Sequence, residues 1–379
     1  MKIAVVILNW NTKDYLRMFL PPLLDSVAMF NGGVSSLETS LAENGSRQVD
    51  GQPDWAEVVV ADSASTDGSM EMMAEKFPSV RRIPLEKNYG FTGGYNRALK
   101  MLCDNPSEDI APTSGETARS IPYDLFILLN SDIEVTRDWL RPLADWMKEH
   151  PECGACGPKL HSWYERDMFE YAGAAGGWID RFGYPFCRGR VLGKVEKDSG
   201  QYDSPADVLW VTGACLAVRA SVWNSLEGLD DRFFAHMEEI DLCWRMQLEG
   251  WKVTVIPESM VYHLGGGTLP KNSPQKLYLN YRNNILLLDN NLARTIGRRK
   301  AALRVFCRKI LDGCSAMVYL LSFRMDFFKA VWRAHRDASR LIAEKRSGNG
   351  APDSHGRHSV AGIYGGCMIP RALLGIKIL

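Results

Sequence analysis

The chain has 379 residues, 46% of them apolar and 24% charged, and its 45 Lys and Arg balance 45 Asp and Glu. This is the composition of a folded globular protein, long enough for one large or two ordinary domains. The neutral average gives no sign of a polyanionic partner, and nucleic acid is not expected. The nine cysteines are scattered without paired metal-ligand spacing, which reads as a reduced, cytoplasmic protein with buried thiols.

In chain order, Ile3 to Leu8 is a branched apolar run, as in a central parallel strand, and is too short for a signal peptide. It ends at Asn9-Trp10-Asn11, and a helix is expected from Lys13. Residues 31–54 read as a polar surface insertion. A strand at Glu57 to Ala61 leads into the turn Asp62-Ser63-Ala64-Ser65-Thr66-Asp67-Gly68, then a helix from Met70 to Phe77. A short strand near Val80 to Pro84 precedes Lys87-Asn88 and the run Gly90-Phe91-Thr92-Gly93-Gly94, with a helix expected from Tyr95 to Cys103. After a second polar insertion at 105–120, a buried strand from Tyr123 to Leu129 ends in Asn130-Ser131-Asp132. The repeated strand, polar loop and helix predict an open α/β sheet with its ligand crevice at the C-terminal strand ends. Further strands are expected at Val208 to Val218 and at Lys252 to Ile256, the latter closed by Pro257, and helices after Ser273. No run of eighteen uncharged apolar residues is present.

Three groups carry chemistry. Asp62 follows a buried strand and can accept hydrogen bonds from a base or ribose; a helix cap is the alternative. Asp132 ends the most apolar strand and offers a hard oxygen ligand for a divalent cation, with Glu134 two residues on. Glu238, Glu239 and Asp241 crowd the mouth of a helix, which costs energy unless a cation offsets it or a proton is shared, and a carboxyl pKa so raised would suit a general base; an acidic helix N-terminus is the simpler alternative. His263 follows a strand and precedes a glycine run, placed to ligate a metal or to meet a diphosphate. A P-loop, a dinucleotide fingerprint, HExxH and GxSxG are all absent from the sequence.

In this order the motifs resemble those of the family 2 glycosyltransferases, particularly the rhamnosyltransferase-like branch of bacterial surface-polysaccharide synthesis. The likeness covers Lys2 to about Asn291 and rests on Asn9-Trp10-Asn11, Asp62 with Asp67-Gly68-Ser69, Lys87-Asn88 with Gly90-Phe91, Asn130-Ser131-Asp132, Gly213-Ala214, Glu238-Glu239-Ile240-Asp241 and Tyr262-His263. The resemblance implies a GT-A fold: a Rossmann-like, mostly parallel sheet flanked by helices, here with a helical C-terminal extension. It implies an inverting transfer from a nucleoside-diphosphate sugar to a hydroxyl of a glycan or polyprenyl-linked glycan. Asn9, Asn11, Asp62, Lys87, Asn88 and Asn130 would serve the nucleotide, and Asp132 and His263 a Mg2+ or Mn2+ ion. The family's base, the aspartate of a Glu-Asp pair, falls at Glu239, with Glu238 and Asp241 beside it. Two positions depart from the family pattern: Asn130 stands where the metal motif has its first Asp, and Glu239 is one methylene longer than the usual base.

The expected organisation is a domain over 1–291, with its nucleotide part at 1–135 and its acceptor part at 136–291, a basic helical extension over 292–346, and a tail of unassigned role over 347–379. From Arg294 to Arg346 fourteen Lys or Arg face four Asp or Glu. Beside an apolar stretch this predicts contact with an anionic membrane surface, peripheral at the inner face; a helical cap or a homodimer interface is the alternative. The rival functions are a nucleotidyltransferase and a non-catalytic binding protein of the same fold.

Overall fold

The computed structural model describes residues 1–32, 54–105, 122–265, 273–348 and 358–373. Both expected polar insertions, and Gly266, Gly267 and Thr268, lie almost wholly outside the described residues.

The N-terminal half alternates strand and helix: β1 (Lys2–Asn9), α1 (Lys13–Phe30), β2 (Trp55–Asp62), α2 (Ser69–Lys76), β3 (Arg81–Pro84), α3 (Gly90–Asp104), β4 (Leu125–Leu129), β5 (Ile133–Val135), α4 (Leu140–Glu149) and β6 (Cys153–Ser162). A small sheet follows from β7 (Gly177–Asp180), β8 (Pro185–Cys187), β9 (Arg190–Val191) and β10 (Lys194–Val195). The chain then returns through β11 (Ala206–Asp207), β12 (Cys215–Arg219), α5 (Ala220–Ser225), α6 (Glu238–Leu248) and β13 (Lys252–His263). It closes with α7 (Pro274–Ile296), α8 (Arg298–Leu321), α9 (Met325–Gly348), β14 (Ile363–Tyr364) and α10 (Met368–Leu373).

The main sheet runs β11-β13-β6-β12-β4-β1-β2-β3, with β5 paired to β13. Pairs β3-β2, β2-β1, β1-β4 and β6-β13 are parallel, whereas β12 enters antiparallel between β4 and β6. The apolar run of β1 explains its central place. Ala4 and Val6 join the core on one face, and Ile3, Val5 and Ile7 the core on the other. Each such side chain contributes about 1.5–3 kcal/mol on burial, so both faces must be covered.

Several boundaries differ from the sequence expectation. Helix α3 begins at Gly90, five residues before the expected start, because its glycines serve packing: a β-carbon at Gly94 would stand 2.6 Å from Leu8 Cδ2. Strand β13 continues through Pro257 to His263, with the proline inside a register shift between Ile256 and Met260. The ladder is already interrupted there, so the missing N–H leaves no bond unmade. Of the expected strand Val208 to Val218, only the end from Cys215 enters β12. The residues before it bend away, with Trp210 bridging to Gly177 of the small sheet.

The proposed boundary at 291 falls inside α7, which is continuous from Pro274 to Ile296 with Ser273 capping its start. Helices α8 and α9 form a hairpin packed on α7. The distal tail also joins the body. Strand β14 pairs in parallel with β7, and the Met368 amide donates to Asp180 Oδ2 at 3.0 Å.

Candidate active site

Strands β1 and β2 end in register, with Asn9 opposite Asp62, and the polar residues beyond them knit together. Buried Asn9 Nδ2 donates to Asp62 Oδ1 at 2.7 Å and to Ser65 Oγ at 3.1 Å, while Thr12 Oγ1 donates to Asn9 Oδ1 at 2.5 Å. Asn11, left-handed at φ 55, accepts from the Thr66 amide at 2.8 Å. Asp62 Oδ2 accepts from the Ser65 amide at 3.0 Å. Asn9, Asn11 and Asp62 are thus brought together, as expected. Their mutual bonds fix the two loops against each other. Asp67 is turn chemistry, accepting from the Lys13 and Ser69 amides.

Lys87 and Asn88 lie further along the same strand ends, just past Leu85, whose amide donates to the Asp62 carbonyl at 2.8 Å. Asn88 Oδ1 accepts from the Gly90 amide at 2.8 Å and so starts α3, while exposed Lys87 places its ammonium 5.2 Å from the centre of the Tyr89 ring. Neither residue contacts the Asn9–Asp62 network directly.

Asn130 ends β4, its amide donating to the Ala214 carbonyl at 2.9 Å. Asp132 is buried, and its Oδ1 lies 3.3 Å from His263 Nε2. Glu134, the other acid of this segment, is engaged by Trp163 Nε1 at 2.7 Å and Arg166 Nη2 at 2.8 Å. The other face of the imidazole meets a residue the sequence did not single out: Glu170 Oε2 lies 3.3 Å from His263 Nδ1. Burial opposes charge on all three groups, yet the attraction of each carboxylate to the imidazole prevails over it and over the repulsion between the two acids. The Asp132 and Glu170 carboxyls are held below the ordinary range, and His263 is pushed up to about 10.

This chemistry fits a divalent cation in part: a ligating imidazole is neutral, so an ion at Nε2 would have to displace the proton that the two carboxylates favour. Two ligands in adjacent positions of an octahedral ion at about 2.1 Å stand roughly 3 Å apart, close to the Asp132–His263 separation. Glu170 stands at ion-pair distance from Nδ1, which itself makes no hydrogen bond among the described residues, on the side from which a carboxylate can orient a ligating histidine. Among the described residues no group of three or more His, Cys, Asp or Glu is arranged to hold an ion alone. A diphosphate would supply the remaining oxygens.

The acidic group at α6 separates into two roles. Asp241 is fully buried and consumed: Arg245 Nε donates to it at 2.7 Å, and the Asn290 and Asn291 amides donate at 2.8 Å each. That network ties α6 to α7 and occupies both Asp241 oxygens. Glu238 and Glu239 instead each keep a buried Oε2 without a hydrogen-bond partner. Burial, reinforced by the Glu239 charge, raises Glu238 well above the usual range. Burial raises Glu239 to about 7, against the backbone amides of the helix start. Glu239 lies against Gly213, where a β-carbon would meet Phe91 and Glu239 at ordinary contact distance. The Asn130–Ala214 bond is one residue away, so the end of β4, the start of β12 and the mouth of α6 converge.

The loop before α6 is held in a rare shape. Phe234, His236 and Met237 all have positive φ, at 63°, 71° and 71°. From α3, the Phe91 and Thr92 amides donate to the Phe234 carbonyl at 2.7 and 3.2 Å. From α7, Asn283 Nδ2 donates to the carbonyls of Phe233, Ala235 and His236, and Arg282 Nη2 adds a bond to Phe233 at 2.6 Å. Arg282 and Asn283 were missed in the sequence. Their signal was the pair Asn283-Asn284 inside an apolar helical pattern, since a weak helix former at a core-facing position needs a partner.

A mixed sheet with carboxylates, an imidazole and polar amides gathered at its C-terminal strand ends defines a GT-A glycosyltransferase fold. A family model described as glycosyl transferase family group 2 matches residues 125–328, more than half of the chain, and the protein belongs to that family. Over 213 residues it is 28% identical to the N-acetylglucosaminyl-diphospho-decaprenol L-rhamnosyltransferase of Mycobacterium tuberculosis, covering 54% of this chain and 66% of the relative. Over 150 residues it is 26% identical to the rhamnosyltransferase WbbL of Escherichia coli, covering 39% of this chain and 55% of that protein. The chain therefore spans less than two thirds of the length of these relatives.

Among solved structures, S. aureus TarS 1-349 in complex with UDP-GlcNAc superposes with a TM-score of 0.51 at 14% identity, over 95% of this chain and 97% of that one. GalNAc-T7 with UDP, GalNAc and Mn2+ superposes with a TM-score of 0.51 at 13% identity, over 76% and 48%. At these identities the likeness concerns the fold alone.

Proposed function

We propose that the protein is an inverting glycosyltransferase that moves a sugar, with rhamnose a leading candidate, from a nucleoside diphosphate to a hydroxyl of a glycan or polyprenyl-linked glycan at the inner face of the plasma membrane. The observation that carries this reading is Glu239: a sequestered carboxylate with a free Oε2, raised to about 7, at the end of the sheet that also holds Asp132 and His263.

Asn9, Asn11 and Asp62 line the nucleotide end, with Lys87, Asn88 and Asn130 along the same crevice. Asp132 and His263 would hold a Mg2+ or Mn2+ ion, with Glu170 orienting the histidine. When bound, the cation neutralises charge on the departing diphosphate. Glu239 takes the proton from the acceptor hydroxyl, whose oxygen attacks the anomeric carbon as the nucleoside diphosphate leaves from the opposite face. A base with a pKa near the working pH is ionised often enough to act and basic enough to accept the proton. Glu238, raised by burial and by the Glu239 charge, stands beside it at the mouth of α6.

The test is a screen of nucleotide sugars against the purified chain with a lipid-linked acceptor, following product anomeric configuration by NMR. An inverted product that disappears in Glu239→Gln, with donor binding retained, supports the assignment. A retained configuration, or undiminished turnover in that variant, overturns it.

A further inference from the structure

Helix α8 has its polarity reversed. Its inward face buries charge: Arg308 and Asp312 are 4% and 0% exposed, bonded to each other at 2.8 Å, with His335 of α9 on the second Asp312 oxygen at 3.1 Å. Arg308 also donates to the Phe182 carbonyl at 3.0 Å and lies over the Tyr184 ring, anchoring α8 to the body of the protein. Its outward face carries Leu303, Phe306, Ile310, Met317, Val318 and Leu321, all exposed. At 100° per residue these positions fall on one side of the helix, opposite Arg308 and Asp312, in a stripe about 27 Å long at the helical rise that Gly313 and Cys314 carry across the gap between Ile310 and Met317. The stripe leads to the hairpin tip, where Phe323 is 95% exposed and Leu321 74%.

Scattered apolar residues on a surface need no explanation, but a continuous stripe does. Its flanks decide which partner fits. Arg298, Arg299, Lys300 and Lys309 of α8, Arg324 at the tip and Lys329 of α9 are exposed, and Asp326 is the exposed acid in their midst. Exposed Trp332 on α9 adds an amphipathic ring of the kind that settles at a headgroup boundary. A second copy of this chain would bring like charge against like charge along this rim. An anionic leaflet offers opposite charge to the rim and hydrocarbon to the stripe. No helix among the described residues is long and apolar enough to cross a membrane, so the contact is one of lying on the surface.

We infer that the outward face of α8, together with the α8–α9 tip, is a membrane-contact surface that seats the protein on an anionic lipid bilayer. It deepens the proposed lipid-linked acceptor by naming the surface that meets the bilayer, and binding is measured without turnover, so the two readings fail separately.

The test is flotation of the full chain with vesicles of phosphatidylcholine and phosphatidylglycerol in equal parts, against phosphatidylcholine alone, at low and high salt, with sedimentation velocity on the free protein. The expected result is binding to the anionic vesicles, weakened by salt. The double variant Phe306→Glu, Ile310→Glu should reduce the bound fraction roughly tenfold or more. Lys300→Glu, Lys309→Glu, which alters exposed charge alone and leaves the packed face intact, should do the same. Equal binding to both vesicle types, absence of binding, or a dimer that the Phe306→Glu, Ile310→Glu variant dissociates would each overturn the inference.

Discussion

The side-chain amide of Asn283 donates to the carbonyl of His236 at 2.7 Å, and through this and two neighbouring bonds one buried residue of α7 holds the loop that delivers Glu238 and Glu239. Three non-glycine residues of that loop sit at positive φ, and each such conformation costs on the order of 1 kcal/mol unless its surroundings impose it. The clamp is supplied from outside α6, so the position of Glu239 depends on helix–helix packing between α6 and α7.

Asn283→Ala is therefore expected to lower kcat by roughly 10- to 100-fold with little change in donor affinity, since a displacement of the base of about 1 Å has that effect. The same variant should lose about 1–3 kcal/mol of stability, because carbonyls are left without donors. Kinetics paired with nucleotide titration calorimetry separate the two effects. A proportional fall in donor affinity would place Asn283 in the nucleotide site instead.

Glu239 also sets a pH dependence. With its pKa at about 7, turnover should rise through that value as the carboxyl ionises. Glu238→Gln keeps the shape of the neighbouring side chain and leaves Glu239 in place, so it should keep most activity and retain this acid limb. Glu239→Gln should remove about 10²-fold or more of the rate. A pH–rate profile on both variants checks the assignment, and reversal of their effects would move the base to Glu238.

A stability consequence follows from the same carboxyl. An acid whose folded pKa lies above its ordinary 4.5 binds more protons folded than unfolded between 4.5 and about 7. The folded state is therefore penalised progressively across that window, and fully above it. Removing the charge with Glu239→Gln should stabilise the protein at pH 8 by on the order of 3 kcal/mol, and hardly at all at pH 4. Thermal melts at the two pH values give the comparison; equal shifts at both would mean that Glu239 is not charged and buried.

How much of this site was legible in sequence depended on whether a residue followed a periodic element. Asn9 and Asp62 end apolar strands, and Asn130 and Asp132 follow β4 within three residues, so the pattern that placed the strands placed these residues. Their neighbours across the sheet follow from parallel register, as Asn9 and Asp62 show. Glu170 has no such support. It lies in the irregular segment between β6 and β7 and reaches His263 only because its amide bonds to the Leu160 carbonyl of β6, beside which β13 runs. The acidic cluster was legible as a group but not as roles. Asn290 and Asn291, about fifty residues on, are what engage Asp241 Oδ1, and nothing near Asp241 in the sequence points to them. The stripe on α8 was visible as apolar content, but its outward direction was not, because only tertiary packing shows that Arg308 and Asp312 take the inside.

Glu170 gives the last prediction, one that reads cation binding rather than turnover. If its carboxylate orients the His263 ring, Glu170→Gln should weaken Mn2+ binding in the presence of nucleoside diphosphate by about 10- to 100-fold, the usual effect of removing such a partner. The geometry limits the alternatives. Glu170 Oε2 faces Nδ1, while Asp132 approaches from Nε2, so the two carboxylates hold opposite ends of one ring. Loss of Asp132 should then abolish cation binding, whereas loss of Glu170 should leave a weakened site with unchanged stoichiometry. Electron paramagnetic resonance of bound Mn2+ reports both quantities. If Asp132→Asn and Glu170→Gln were equally severe, Glu170 would be a ligand itself; if Glu170→Gln had no effect, the contact with His263 would serve folding alone.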